Sequence, residues 1–505
     1  MNATIWSLLP PILAIVLALW TKEVYVSLLL GILLGALLFT GFHPIDAIQT
    51  TFQILGDKVG GNINIIVFLV LLGVLVALIT KSGASTAYKD WASKSIHSRR
   101  GALLSTIILG LIIFVDDYFN CLTVGTVMRP VTDKFKVTRA KLAYVIDATA
   151  APICIIAPIS SWAAAVSSSL PENSKIDGFT LFLNTIPFNF YALLTLVFLL
   201  FLVICDMDFS TMLKYEQNLR ARDEHDALEE EKHILDGKGT VWDLVLPIFV
   251  LISCCLGSML YTGSYFSESK TVAAAFADCD SSASLVLGSF LALLFTAVLY
   301  LPRRVILFEQ FADSFVEGFK AMASANLILA FAWTLSGICS GDYLNIGGFV
   351  KSLISPDTMF LNFLPAAFFA IALGLAFATG TSWGTFGILI PIALAIFSDE
   401  LSPLLILTVS AVLSGAVCGD HISPISDTTI LASAGSNCHH IDHVSTQLPY
   451  ALTVAGCSLV GYLVAGYAQN GWIGLVAGFI VLVIACLTLY KRHQNKLANN
   501  EIVQY

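Results

Sequence analysis

The chain has 505 residues, 57% of them hydrophobic and only 12% charged, with a formal charge of −9. Soluble globular proteins carry about 25% charged residues, so the composition argues against a soluble enzyme of several domains, and no G-x-S-x-G, HExxH or phosphate-binding loop appears. The negative charge does not mark a basic partner, because most of it sits in 206–238, which holds ten acidic residues against five basic ones.

Apolar runs of about 20 residues, long enough to cross a bilayer core, recur at 5–20, 24–40, 63–80, 181–205, 241–261 and 451–466. The first has no Lys or Arg before it, is interrupted by Pro10 and Pro11, and lacks a cleavage site. It therefore reads as a span and not as a signal peptide. The N-terminus is placed outside, with Lys22 at the first cytoplasmic turn.

The loops at 81–100 (Lys81, Lys89, Lys94, Arg99, Arg100) and 132–141 (Lys134, Lys136, Arg139, Lys141) should both face the cytoplasm. Residues 101–130 between them are too few for two crossings, which need about 40 residues, so a re-entrant hairpin is expected there. A broken helix follows at 142–166, interrupted by Pro152 and Pro158. The stretch 206–240 reads as an acidic, solvated cytoplasmic linker loop.

The second half lacks Lys and Arg between Lys351 and Lys491. A second hairpin at 361–397, entering from outside, and a second broken helix at 402–430 are expected. Residues 471–505 form an extra helix and a cytoplasmic tail. The expected fold is an all-α membrane protein with about eleven transmembrane helices. They fall in two inverted repeats, 1–205 and 241–470. A short echo supports the repeat: Pro158, Ile159 and Ser160 recur as Pro424, Ile425 and Ser426. The eleven cysteines lack disulfide or metal spacing and read as reduced.

Polar side chains inside apolar segments are the candidate site. A charge at a helix centre costs about 2.5–3.5 kcal/mol on insertion scales, so its presence points to function. Asp116 and Asp117 fall in the middle of the first hairpin, with Asn120 and Thr123 close behind. Such hard oxygens suit a small hard cation, and adjacent carboxylates resist joint ionisation, so one can hold a proton or Na⁺ in turn. The competing reading is a helix cap at the hairpin tip. Asp147 and Thr149, then Ser160 and Ser161, line the first broken helix; Asp147 is alternatively an interfacial residue. In the second half Thr379, Thr381 and Ser382 lie in a Gly-rich cluster that could instead be a packing seam. Asp420, His421, Ser423, Ser426, Asp427 and Thr428 form a dense polar stretch. The Na⁺ ligands expected are Asp116, Asp117, Asp420 and Asp427. His439, His440 and His443, beside Cys438 and Asp442, do not match a structural zinc spacing and read as a loop at the membrane surface.

The runs FVDDYFN (114–120), GTSWGT (380–385) and GDHISPISDTT (419–429) resemble the NhaC-type Na⁺/H⁺ antiporter family. The resemblance covers most of the chain and is strongest over 111–162 and 379–450. It implies the wider ion-transporter superfamily fold, which pairs two re-entrant hairpins with two broken helices. It also implies cation coupling, although the family includes a malate/lactate exchanger and members assigned to amino-acid uptake.

Two functional readings follow. The first is a Na⁺/H⁺ antiporter of the cell inner membrane, working by alternating access. The second is a Na⁺- or H⁺-coupled carrier of an amino acid or small carboxylate that uses the same cation site. No cofactor is expected beyond Na⁺ and H⁺ as transported ions. The expected partners are the lipid bilayer, small inorganic cations and, in the second reading, an organic solute. No nucleic acid is expected, and a homodimer is the candidate assembly.

Overall fold

The computed structural model describes residues 2–499 apart from 22, 85–86, 89–90, 92–95, 115–116, 159, 161, 163–164, 167–168, 171–173, 175, 227–237, 268–270, 347, 350–357 and 398–400. Asp116 and Ser161 of the candidate site, Lys22, Lys89 and Lys94 of the topology argument, and much of the acidic linker lie outside the described residues.

The described residues are helical and contain no strand. Backbone groups in lipid must be satisfied within the chain, which a helix achieves by itself. Among the described residues eight helices are long and apolar enough to cross a membrane, or nine if a bent pair counts as one span. Three shorter apolar helices supplement them. Interruptions at Gly, Pro and polar residues divide the apolar segments into pieces, so a count by length falls below eleven.

The helices sort into two bundles. The first contains α1 (Leu9–Thr21), α2 (Val24–Phe39), α3 (Pro44–Gly61) and α4 (Ile63–Lys81). A later segment joins them: α12 (Trp242–Thr262), α13 (Val272–Ala277), α14 (Ser281–Tyr300) and α15 (Phe308–Cys339). Helix α15 packs on α2, α3 and α4, and α14 packs on α4 and α12. The α4–α15 contact is backbone-close, because a Cβ on Gly73 would sit 2.5 Å from the Gly318 carbonyl oxygen.

The second bundle takes α5 (Arg99–Ile112), α6 (Asp117–Lys134), α7 (Arg139–Ala148), α8 (Ala151–Cys154), α9 (Gly178–Thr185), α10 (Phe190–Cys205) and α11 (Ser210–Asp226). From the second half come α16 (Leu364–Thr379), α17 (Ser382–Ile396), α18 (Pro403–Ile422), α19 (Asp427–Ser436), α20 (His440–Ala468) and α21 (Gly471–Ala498). Helix α19 lies against α6 and α7, and α18 against α16, α17 and α20. Contacts between the bundles run from α15 to α16 and α19, and from α1 to α16 and α20.

Two expectations need correction. The first part of the acidic linker is not a solvated loop: Asp206 caps α10 and α11 follows. Asp208 and Glu216 are buried. Arg99 pairs with Glu216 at 3.1 Å, and Lys141 forms a buried ion pair with Asp208, which also accepts from the Tyr450 hydroxyl. Second, residues 440–443 are not a surface loop. They begin α20, with His440 and His443 buried.

Candidate ion-binding site

Four helix breaks bring backbone and polar side chains together. Helix α5 ends at Ile112 and α6 restarts at Asp117. Helix α7 ends at Ala148 before the short α8. Gly380, at φ 66°, separates α16 from α17. Residues 423–426 separate α18 from α19. A Cβ on Gly380 would lie 2.4 Å from the Ile425 carbonyl oxygen, so the last two breaks touch and only glycine fits between them.

Three carboxylates open on a cavity of about 230 Å³ beside these breaks: Asp117, Asp420 and Asp427. Asp117 begins α6 and Asp427 begins α19. Each thus meets the positive end of a helix dipole, so the capping reading and an ion-binding one coexist. Trp162 Nε1 donates to Asp117 Oδ2 at 3.2 Å. The Tyr118 hydroxyl donates to Asp427. Ser382 Oγ donates to Asp420 Oδ2 at 2.9 Å, while the buried Asp420 Oδ1 has no hydrogen-bond partner among the described residues. Thr379 and Thr381 complete this wall. The opposite wall comes from the first bundle, through Lys58 and Asn62 at the end of α3 and Ala332, Trp333 and Ser336 on α15. The cavity therefore lies on the seam between the bundles.

Asn120 and Thr123 share the Asp117 face of α6 by their spacing of three. Asn120 Nδ2 donates to the carbonyls of Gly110, Ile113 and Thr149, at 2.8, 2.6 and 3.0 Å, fastening the two breaks of the first half to each other. Its Oδ1 and the Thr123 hydroxyl are buried without hydrogen-bond partners among the described residues. Thr149 hydrogen-bonds to Val145 O, Ser160 to Cys154 O, and Ser423 to Phe377 O. Ser426 caps α19 through Thr429 N, and its hydroxyl meets that of Thr428. Thr149, Ser160, Ser423 and Ser426 help hold the breaks in shape, and none of these side chains is among those that line the cavity.

Asp147 and His421 belong to a second, fully buried network. Asp147 Oδ2 accepts from Gln447 Nε2 at 2.8 Å and meets His443 Nε2 at 3.1 Å and His421 Nε2 at 3.9 Å. Gln447 also donates to the His421 carbonyl, at the last turn of α18, and His421 Nδ1 pairs with the Tyr191 hydroxyl at 2.7 Å. His440 Nε2 reaches Pro424 O at 2.7 Å. Sequence reasoning missed Tyr118, Trp162, Lys58, His443 and Gln447 in these roles. A readable signal existed only for Tyr118, which adjoins Asp117.

Among the described residues no three His, Cys, Asp or Glu side chains stand close enough to cage one metal ion. The three described carboxylates line a cavity.

The model for the Na⁺/H⁺ antiporter family matches residues 172–467. The chain belongs to this family. The match takes in both breaks of the second half, including Asp420 and Asp427, and leaves out the first-half run with Asp117. The chain is 40% identical over 97% of its length to an uncharacterized protein of Haemophilus influenzae, covering 96% of that protein. It is 33% identical to a malate-2H⁺/Na⁺-lactate antiporter of Bacillus subtilis, over 37% of this chain and 43% of the relative. It is 40% identical to an arginine/ornithine antiporter of Halobacterium salinarum, over 26% of this chain and 28% of the relative. Family and apolar helices together make the chain a multi-pass membrane protein and a secondary transporter.

Proposed function

We propose that this family member is a Na⁺/H⁺ antiporter of the cell inner membrane. Na⁺ and protons compete for Asp117, Asp420 and Asp427, and Na⁺ leaves as protons enter. The observation that carries the reading is the meeting of three carboxylates from both halves of the chain on one cavity between two bundles. An exchanger needs sites that take either ion but not both, and carboxylates in hydroxyl-rich surroundings supply them. The seam supports alternating access, since one bundle rocking against the other would expose the cavity to each side in turn.

The test is lumenal pH in proteoliposomes after external Na⁺ is added. The expected response is alkalinisation, as Na⁺ enters and H⁺ leaves. Asp427→Asn and Asp420→Asn should abolish it while the protein remains inserted. Wild-type alkalinisation in both variants, or none in the wild type, would overturn the reading.

A further inference from the structure

Lys58 is the feature this reading does not use. It stands near the end of α3 and lines the cavity together with Asp117, Asp420 and Asp427. Among the described residues its ammonium makes no ion pair and no hydrogen bond; its carbonyl accepts from Asn62 Nδ2 and Asn62 N. Its stem runs over Gly337 of α15, where a Cβ would come 2.8 Å from Lys58 Cε, so that glycine keeps open the path the side chain takes.

An ammonium here offsets part of the charge of the three carboxylates and contributes nothing to holding Na⁺ itself. The position makes sense if the cargo brings an anionic group. The cavity has the room: about 230 Å³, against roughly 30 Å³ for one liquid water. Its polar residues are also divided, with Lys58 among those contributed by the first bundle and the three aspartates among those of the second. Trp162, Trp333 and Trp383 also line the cavity and bring aromatic surface to it.

We propose that Lys58 is the specificity-determining residue for a cargo carboxylate, and that the cavity carries a small zwitterion whose ammonium faces the Asp wall. The proposal rests on the reading of this cavity as the transport site, where the same carboxylates would also serve a coupling ion. It names a residue on α3, outside the segment matched by the family model. Lysine suits the task as a compact point charge on a flexible stem.

The experiment uses the purified full-length protein in proteoliposomes with Na⁺ present. Uptake of radiolabelled amino acids is compared with uptake of the amines left when their carboxyl groups are removed. The wild type should prefer at least one amino acid over its amine by tenfold or more. Lys58→Met should erase that preference, and Lys58→Arg should retain part of it. Monodisperse elution of each variant before reconstitution guards against misfolding, and Lys58→Gln takes the place of Lys58→Met if that variant fails. An unaltered preference in Lys58→Met, equal uptake of acid and amine by the wild type, or no uptake of either overturns it. Na⁺-evoked proton movement is recorded in the same vesicles without solute. If it persists while solute transport is absent, the Lys58 proposal fails and the exchange reading stands. If it is absent while the acid preference is present, the exchange reading fails and the cargo assignment stands.

Discussion

Gly435→Ala probes the contact that sets the distance between two of the three carboxylates. A Cβ at position 435, on α19, would sit 2.4 Å from the Cys121 carbonyl oxygen on α6. Comfortable carbon–oxygen contacts lie at about 3.3–3.6 Å, so the helices must part by roughly 1 Å. The reciprocal position is as tight, since a Cβ on Gly125 meets the Gly435 backbone at 2.4 Å. Asp427 begins α19 and its partner Tyr118 lies at the start of α6. Separation therefore strains the bond that orients Asp427. Overpacking costs about 1–3 kcal/mol, and loss of a hydrogen bond to a charged group about 1.5–3 kcal/mol. At about 1.4 kcal/mol per tenfold, the second term alone raises the half-saturating Na⁺ concentration by roughly 10- to 100-fold. Na⁺-dependent transport in proteoliposomes reads the affinity, and thermal melting in detergent reads the packing. Gly456→Ala on α20 is the control, because a Cβ there meets nothing within 4 Å. Wild-type half-saturation and melting temperature in Gly435→Ala would refute the argument.

Lys141→Met leaves Asp208 without the ammonium that faces it in a buried pair, both side chains being 2% exposed; such breaks cost about 3–5 kcal/mol. A lowered melting temperature is expected, with partial recovery in the double variant Lys141→Met/Asp208→Asn. Gly380→Ala must adopt a left-handed backbone, at about 1–2 kcal/mol, and also clash with Ile425. Transport should fall several-fold and Gly380→Asn should not restore it, because asparagine tolerates the backbone angle but not the clash. Gln447→Leu removes a donor from Asp147 and the tie to the His421 carbonyl. The half-saturating Na⁺ concentration should rise several-fold through the displaced end of α18, and an unchanged value would show that the buried network does not position Asp420.

The helix breaks were legible because glycine, proline and clustered hydroxyls inside apolar runs have few other uses. Asp117, Asp420 and Asp427 could be found for the same reason: their charge is costly where the surrounding sequence places it. Lys58 was not legible. It sits beside Asp57 and close to Gly60 and Gly61, a context that reads as a wetted helix end, and its place on the cavity follows only from the packing of α3 on the distant α15. The acidity of 206–226 misled because the cations that pair with Asp208 and Glu216 lie far back in the chain, at Lys141 and Arg99. His443 read as a surface residue because its partner, Asp147, is 296 positions away.

The interleaving of the two halves also bears on how the protein is made. The face of α4 around Gly73 is covered by Gly318, and Asn64 reaches Ser282 across 218 positions. A ribosome that has finished α4 has yet to synthesise the helices that cover it. Contacts this distant in sequence form late, and domains in nascent chains fold as their parts emerge. The first four helices must therefore wait in the membrane, their close-packing face against lipid or an assembly factor, until α14 and α15 arrive. A chain released early would present that glycine face to its neighbours.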